Sequence, residues 1–502
     1  MSLLRHNGRT WGRTALALAA ALTALAVGCG APAGQAPAQA QPTAETVRID
    51  IAPAEATAPP TALPAPTPTG APAWEGPDRL RYVFLFIGDG MGMQHVQAVS
   101  EALAASGGAP LSFTQFPVQG AARTATADGS VTDSAAAVTA IATGQKTHES
   151  VLGRGADGKR AETVAEALHA RGMQVGVLST VALDQATPAG FYAHVAKRSQ
   201  YDDILRMLFE SGFAYFAGGG FTAELDPAPL ALAGGYTLAV GEEAAAAAGD
   251  GRLVCIAGAP DGDGGMAYAL DTQNGRSDLF ARYLAFGIRR LSDAPHGFFL
   301  AAEGGRIDHA SHYHDAGDMF AEVLDMDAAV REAVAFYEAH PHETLILVTA
   351  DHETGGLTLA AGDRAGLLRQ TQSCRWLDAN AVPVWKENGA AFADVLPRIA
   401  EYFSFGALSD AETAYLRAAY DLTLTGDYSN AYVRKTYNGV YSPVVSAAAK
   451  LAADRAGMAF TTFGHTGANV PVYALGVGAE AFAGEYENTE IRDRLLEQIK
   501  DD

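Results

Sequence analysis

Two rhythms of apolar and polar positions take turns along this chain. Tyr82-Val83-Phe84-Leu85-Phe86-Ile87 is an unbroken apolar run, the pattern of a strand buried on both faces. A stretch with helical spacing follows over about 92–106. The succession recurs, with a helix over 162–171 before a strand over 174–178, and a helix over 278–291 before a strand over 298–301. A long helix over 315–340 then leads into a strand over 345–348. Alternating strands and helices predict an α/β fold, a three-layer α/β/α sandwich around a large, mostly parallel central sheet. From about 362 to 457 the rhythm breaks into Pro-containing loops, with helical spacing near 390–403 and 410–421. This segment reads as an insertion near the active site, serving as a lid, crown or dimer contact, or as extra packing on the sheet.

Ahead of residue 80 neither rhythm holds. Residues 30–79 are dominated by Ala, Pro and Thr, the composition of an extended, disordered linker. Residues 1–29 read as a targeting segment: Arg5, Arg9 and Arg13 precede the apolar run Ala15 to Val27, which is short for a membrane span. The ending Leu25-Ala26-Val27-Gly28-Cys29 resembles a bacterial lipoprotein signal, in which the cysteine is lipidated after cleavage. It departs from that pattern at Ala26, where such signals usually carry Leu, Val or Ile, and plain cleavage in the Ala-rich stretch is the alternative. Both readings place the protein outside the cytoplasm, in the periplasm or at the cell surface, with Cys29 the point of any membrane attachment. The remaining cysteines, Cys255 and Cys374, have no His or Asp at ligand spacing and read as structural, bridged or buried.

Charge narrows the possible partners. The formal net charge is −22, and the first 29 residues contribute only the three arginines, so the chain beyond Cys29 is more acidic still. A nucleic acid needs a basic footprint, so it is excluded as a specific partner. The acid surplus serves solubility, and part of it is suited to holding cations.

The chemistry-bearing residues gather where apolar runs end. Gly88-Asp89-Gly90 closes the first strand, and Asp184-Gln185-Ala186-Thr187-Pro188 follows the strand near 175. Glu303-Gly304-Gly305-Arg306-Ile307-Asp308 closes the strand near 299, and Thr349-Ala350-Asp351-His352-Glu353-Thr354 the strand near 347. Ligand sites of open α/β sheets lie at the carboxyl ends of the strands, so these pieces converge in space. Asp308 and His312 are four apart and share one helix face. With Asp351, His352 and His465, the last in a glycine-flanked turn, they form a zinc-like set of ligands. Ser134 opens an Ala-rich helical run, and a hydroxyl at a helix start meets backbone N–H groups that favour an anion. His95, His148, His169, His194, His296 and His314 have no such spacing and read as surface or core histidines.

Residues 82 to about 480 resemble the alkaline phosphatase family. The resemblance rests on Phe86-Ile87-Gly88-Asp89-Gly90-Met91-Gly92, Thr132-Asp133-Ser134-Ala135-Ala136 with Thr143-Gly144-Gln145-Lys146-Thr147, and Ala186-Thr187-Pro188-Ala189 with Ala193-His194 and Arg198. It continues through Glu303-Gly304-Gly305-Arg306-Ile307-Asp308-His309 with His312, then Thr349 to Gly356, then His465-Thr466-Gly467. The resemblance implies a catalytic domain over 80–502 that hydrolyses phosphate monoesters through a phosphoserine on Ser134. It implies two zinc ions, one on Asp308, His312 and His465, the other on Asp89, Asp351 and His352 with Ser134. It implies one magnesium on Asp89, Thr187 and Glu303. Arg198, steered by Asp133, would bind the substrate phosphate, with His309 beside it. Gln185 stands where relatives often carry an acid or a histidine, and Asp184 is the residue expected to compensate at the magnesium. Family members are often homodimers, but no interface can be read from this sequence. The competing readings are a phosphodiesterase or sulfatase of the same superfamily, and a surface lipoprotein that binds metal or phosphate without turnover. The alanines after Ser134 argue against the sulfatase, and the presence of both Ser134 and Arg198 against a mere binder.

Overall fold

The computed structural model describes residues 79–258, 260–272, 278–426, 436–437 and 441–499. The targeting segment, the linker and Cys29 lie outside the described residues. The strands, in chain order, are β1 (Tyr82–Gly88), β2 (Val118–Arg123), β3 (Gln174–Ser179), β4 (Tyr215–Gly218), β5 (Tyr236–Val240), β6 (Arg252–Ile256) and β7 (Phe298–Gly304). They continue with β8 (Thr344–Thr349), β9 (Glu353–Thr354), β10 (Leu357–Leu359), β11 (Met458–Phe460), β12 (His465–Thr466), β13 (Val470–Gly476) and β14 (Gly484–Glu487). Ten of these form one sheet, in the order β14-β2-β13-β8-β1-β7-β3-β4-β6-β5.

The sheet is parallel except at β13, which runs antiparallel to both β8 and β2. The centre is built from β1, whose seven residues are all buried, flanked by β7 and β8 in parallel register. An unbroken apolar run suits this position because helices cover both faces and leave no polar side. The helices expected from spacing form over Met93–Ser106, Val164–Ala170, Leu279–Leu291 and Ala316–Ala339. Among the described residues no helix is long and apolar enough to cross a membrane.

The 362–457 segment forms helices Phe392–Tyr402, Asp410–Thr425 and Pro443–Arg455. Its first residues are tied to Asp315, whose carboxylate accepts from the Gln370 amide at 2.8 Å and from the Cys374 N–H at 2.7 Å. Farther along, the Tyr441 ring lies 4.8 Å from that of Tyr313. Both anchors immediately follow His312, so the insertion docks beside the predicted site. Cys255 and Cys374 are both buried and unbridged. Of the two alternatives open in sequence, burial holds.

Candidate active site

Asp89, Thr187, Glu303, Asp308, His309, His312, Asp351 and His352 are delivered by the ends of sheet strands or by what directly follows them, whereas Ser134 opens a helix of its own and Arg198 lies in the loop after Ala189. β1 ends at Gly88, next to Asp89, and β7 ends just after Glu303. The helix Arg306–His312 presents Asp308 and His312 four residues apart, with Asp308 Oδ2 3.2 Å from His312 Nε2. β8 ends before Asp351 and His352. His465 lies not in a free turn but in β12, paired antiparallel to β9 so that it faces Thr354. This two-residue ladder fastens the loop bearing His465 to the one bearing Asp351 and His352. Gly90 has a φ of +71°, and a Cβ there would stand 2.8 Å from Thr354 Oγ1 and 2.9 Å from Asp308 Oδ1. Only glycine lets β1 approach the site this closely, and its N–H donates to Asp351 Oδ1 at 3.1 Å.

His312 and His465 face each other with their Nε2 atoms 3.1 Å apart. His312 Nδ1 donates to the Phe463 carbonyl at 2.5 Å and His465 Nδ1 to the Thr132 carbonyl at 2.9 Å. A carbonyl can only accept, so both protons sit on Nδ1 and two lone pairs point at one another. That arrangement needs a cation between them. Burial works against a charge on His312, yet the Asp308 carboxylate outweighs it and lifts this imidazole to about 9, so the pocket favours positive charge at this point.

His352 joins this group to the next. Its ring stacks on that of His465 at 3.6 Å. Its Nε2 lies 3.2 Å from Asp351 Oδ2, 3.5 Å from Asp89 Oδ1 and 3.2 Å from Ser134 Oγ. Asp89 Oδ1 and Asp351 Oδ2 are buried without hydrogen-bond partners. Asp89, Asp351 and His352 offer ligand atoms within 4.8 Å of one another, as do Asp308, His352 and His465. Thr187 Oγ1 is 3.4 Å from Asp89 Oδ2, and both residues neighbour Glu303 closely enough to favour its ionised form. Burial and then repulsion between carboxylates push Asp89 well above the usual range, Asp351 to about 6 and Glu303 to about 7. At Asp308 burial also opposes ionisation, but His312, His352 and His465 together hold its carboxyl well below the usual range. Orphaned carboxylate oxygens, converging imidazoles and carboxyls this perturbed fit divalent cations better than they fit any arrangement of protons.

Ser134 is the first residue of the helix Ser134–Thr143, and Asp133 is its N-cap. Asp133 Oδ1 accepts from Ala136 N at 3.0 Å and Ser150 N at 3.1 Å, while Oδ2 stands 3.3 Å from Arg198. Several contributors escaped the sequence reading. Thr354 donates to Asp308 Oδ1 at 2.5 Å, and its hydroxyl lies 3.2 Å from His352 Nδ1, so it orients both. Ser179 donates to Glu303. Arg306, fully buried, grips both oxygens of Asp263 at 2.5 and 2.8 Å and contacts His309 Nδ1 at 3.0 Å. Thr354 and Arg306 belong to the matched motifs, but nothing in their spacing tells what they touch.

One expectation is corrected. Asp184 is not free to compensate for Gln185, because its carboxylate is buried and accepts the N–H groups of Thr222 and Ala223 at 2.7 to 2.9 Å. Gln185 itself reaches Thr222 Oγ1 at 3.3 Å.

A large parallel sheet that gathers imidazoles, carboxylates and a serine at its carboxyl edge defines a metal-dependent hydrolytic enzyme. The alkaline phosphatase family model matches residues 80–211 and 262–500. Alkaline phosphatase 4 of Bacillus subtilis is 29% identical over 447 residues, covering 84% of this chain and 89% of its own length. Alkaline phosphatase 3 of the same organism is 28% identical, covering 84% of this chain and 90% of its own length. Among solved structures, the cold-active alkaline phosphatase of a psychrophilic Shewanella superposes with a TM-score of 0.71 at 25% identity, over 84% of this chain and all of that one. The alkaline phosphatase of the Antarctic bacterium TAB5 superposes with a TM-score of 0.60 at 25% identity, over 85% of this chain and all of that one. A variant of the TAB5 enzyme carries magnesium in a site named M3. The chain belongs to the alkaline phosphatase family, and it is accordingly a phosphomonoester hydrolase.

Proposed function

We propose that hydrolysis runs through a covalent phosphoserine on Ser134, at a centre of two zinc ions and one magnesium. Asp308, His312 and His465 would hold one zinc, and Asp89, Asp351 and His352 with Ser134 the other. Asp89, Thr187 and Glu303 would hold the magnesium, an oxygen-only set suited to that hard cation. When bound, the cations neutralise charge that collects on the phosphoryl and departing oxygens. Arg198, kept in place by Asp133, offers the phosphate two parallel N–H donors. The N-terminus of the Ser134–Thr143 helix turns its N–H groups toward the same anion. Ser134 Oγ attacks phosphorus as its proton passes to water, and the bond to the ester oxygen breaks as the alcohol takes a proton from water. Water then attacks phosphorus from the vacated side, and the bond to Oγ breaks to release phosphate and restore the hydroxyl. His309 would stand at the rim of the phosphate position. Arg306 can only donate to its Nδ1, so its proton sits on Nε2.

The observation that carries this reading is the pair of facing Nε2 atoms beside orphaned carboxylate oxygens, with Ser134 Oγ in reach of His352. Acid-quenched enzyme should carry phosphate on Ser134 by mass spectrometry, and Ser134→Ala should lose it together with several orders of magnitude in turnover. Phosphate trapped on another residue would refute the assignment. p-Nitrophenyl phosphate should be cleaved far faster than its bis-ester or sulfate analogues; the reverse preference would favour the diesterase or sulfatase reading. We infer export from residues 1–29, with Cys29 as the lipid attachment, a linker over 30–79 and catalysis by 80–502. Palmitate labelling abolished by Cys29→Ser is the expected result.

A further inference from the structure

His314 is a non-glycine residue with a φ of +58°. A side chain with a Cβ meets steric strain there, so surrounding contacts must hold it. Its imidazole is nearly parallel to two phenyl rings, that of Phe460 at 4.7 Å and 7° and that of Phe463 at 4.1 Å and 8°. Two parallel rings this near cannot share one face, so the imidazole lies between them. A ring nitrogen, Nε2, donates to the Thr462 carbonyl at 2.8 Å.

The location gives these contacts their meaning. His314 stands two residues beyond His312, and Phe463 two residues before His465. His312 Nδ1 already donates to the Phe463 carbonyl. On its other side the loop from 461 to 469 is fastened by the β9–β12 ladder and by Gly355, whose carbonyl accepts the Thr461 N–H at 2.9 Å and whose N–H donates to the Gly464 carbonyl at 3.0 Å, so the contacts of His312 and His314 are what tie it to the Arg306–His312 helix. The stacked imidazole therefore closes a second link between the end of the Arg306–His312 helix and the segment that brings in His465. We propose that His314 is a positioning residue, a clasp that fixes the separation of His312 and His465 and thereby how tightly a cation between them is held. The proposal rests on the reading of Asp308, His312 and His465 as one zinc site.

Groups that orient metal ligands without touching the metal typically change affinity by about 10- to 100-fold. Competition with a chelator of known affinity, on the purified holoenzyme, measures each zinc. In His314→Ala one zinc should weaken by about 10- to 100-fold and the other should stay as in the wild type. Turnover at saturating zinc should not change. His314→Phe keeps the stack without the bond to Thr462 and should recover most of the affinity. Phe463→Ala removes one ring at a half-exposed position, keeps the carbonyl that His312 uses, and should show the same selective loss in a protein that folds. Wild-type zinc affinity in both His314→Ala and Phe463→Ala, or equal weakening of both zinc ions, overturns the clasp. The ligand reading is separated by His312→Ala: if that variant keeps both affinities the zinc site itself falls and the clasp with it, whereas loss there with none in His314→Ala removes the clasp alone.

Discussion

Asp133 uses its two carboxylate oxygens for different tasks. Oδ1 caps the helix of Ser134 and receives Ser150 N, while Oδ2 holds Arg198. Ser150 is itself at positive φ, 69°, so Asp133 receives an N–H from strained backbone. Asp133→Ala should cost about 1 kcal/mol of stability through the lost cap. It should also lower kcat/KM by about tenfold and weaken inhibition by phosphate, since a charge-assisted hydrogen bond to Arg198 is worth about 1.5 kcal/mol or more. Asp133→Asn keeps an acceptor at the cap and loses the charge. It should therefore recover the stability, measured by urea unfolding, without recovering the phosphate inhibition.

Among the elements, the Arg306–His312 helix does the most to join distant parts of the chain. Beyond Asp263, the Arg306 guanidinium donates to the Met266 carbonyl at 2.7 and 3.0 Å and lies over the Tyr268 ring at 4.3 Å. The segment 261–268 is thus fastened to the helix that carries Asp308, His309 and His312. Burial opposes the charge on Asp263, but Arg306 wins and holds that carboxyl at about 2. Asp263→Asn should destabilise by about 2 kcal/mol, less than for a wholly buried pair because this carboxylate is 39% exposed. A depressed carboxylate stabilises above its unfolded value and loses that contribution as pH falls toward the folded one. The gap between wild type and Asp263→Asn, read from urea melts, should therefore be full near neutral pH and close between about pH 4 and 2. Spacing made the helix and the pairing of Asp308 with His312 legible, because residues four apart share a face whatever surrounds them. The strand at β1 was legible for a similar reason, since seven buried residues in a row leave one pattern. The partners Asp263, Thr354 and Phe463 were not, because pairings across the fold depend on where loops cross and leave no period in the sequence. His314 was read as bland on the same ground. Asp184 misled because an acid beside a metal motif says nothing of the backbone N–H groups that claim it.

For the molecule as a whole, the metals bear on stability as much as on chemistry. Asp89, Glu303, Asp308 and Asp351 are buried together, a grouping that can stay fully ionised only beside bound cations. Chelation should therefore abolish activity and lower the calorimetric midpoint, and zinc with magnesium should restore both. A ligand held at a hundred times its Kd adds about 2.7 kcal/mol to the native state, so a shift of a few degrees is expected. Full activity after exhaustive chelation would count against the metal reading. The β9–β12 ladder has one more consequence, in time rather than in space. It pairs Thr354 with His465, and β13 then runs back between β8 and β2. The flank of the sheet beyond β8 is thus completed only when β13 and β14 are present, and contacts between residues so far apart in sequence form slowly. A ribosome-bound chain lacks His465 until every other residue of the candidate site has been made, and a chain threaded through a membrane can assemble the site only on the far side. In refolding from urea, helical signal should accordingly return well before phosphatase activity, and a chain ending ahead of β12 should regain the first without ever regaining the second.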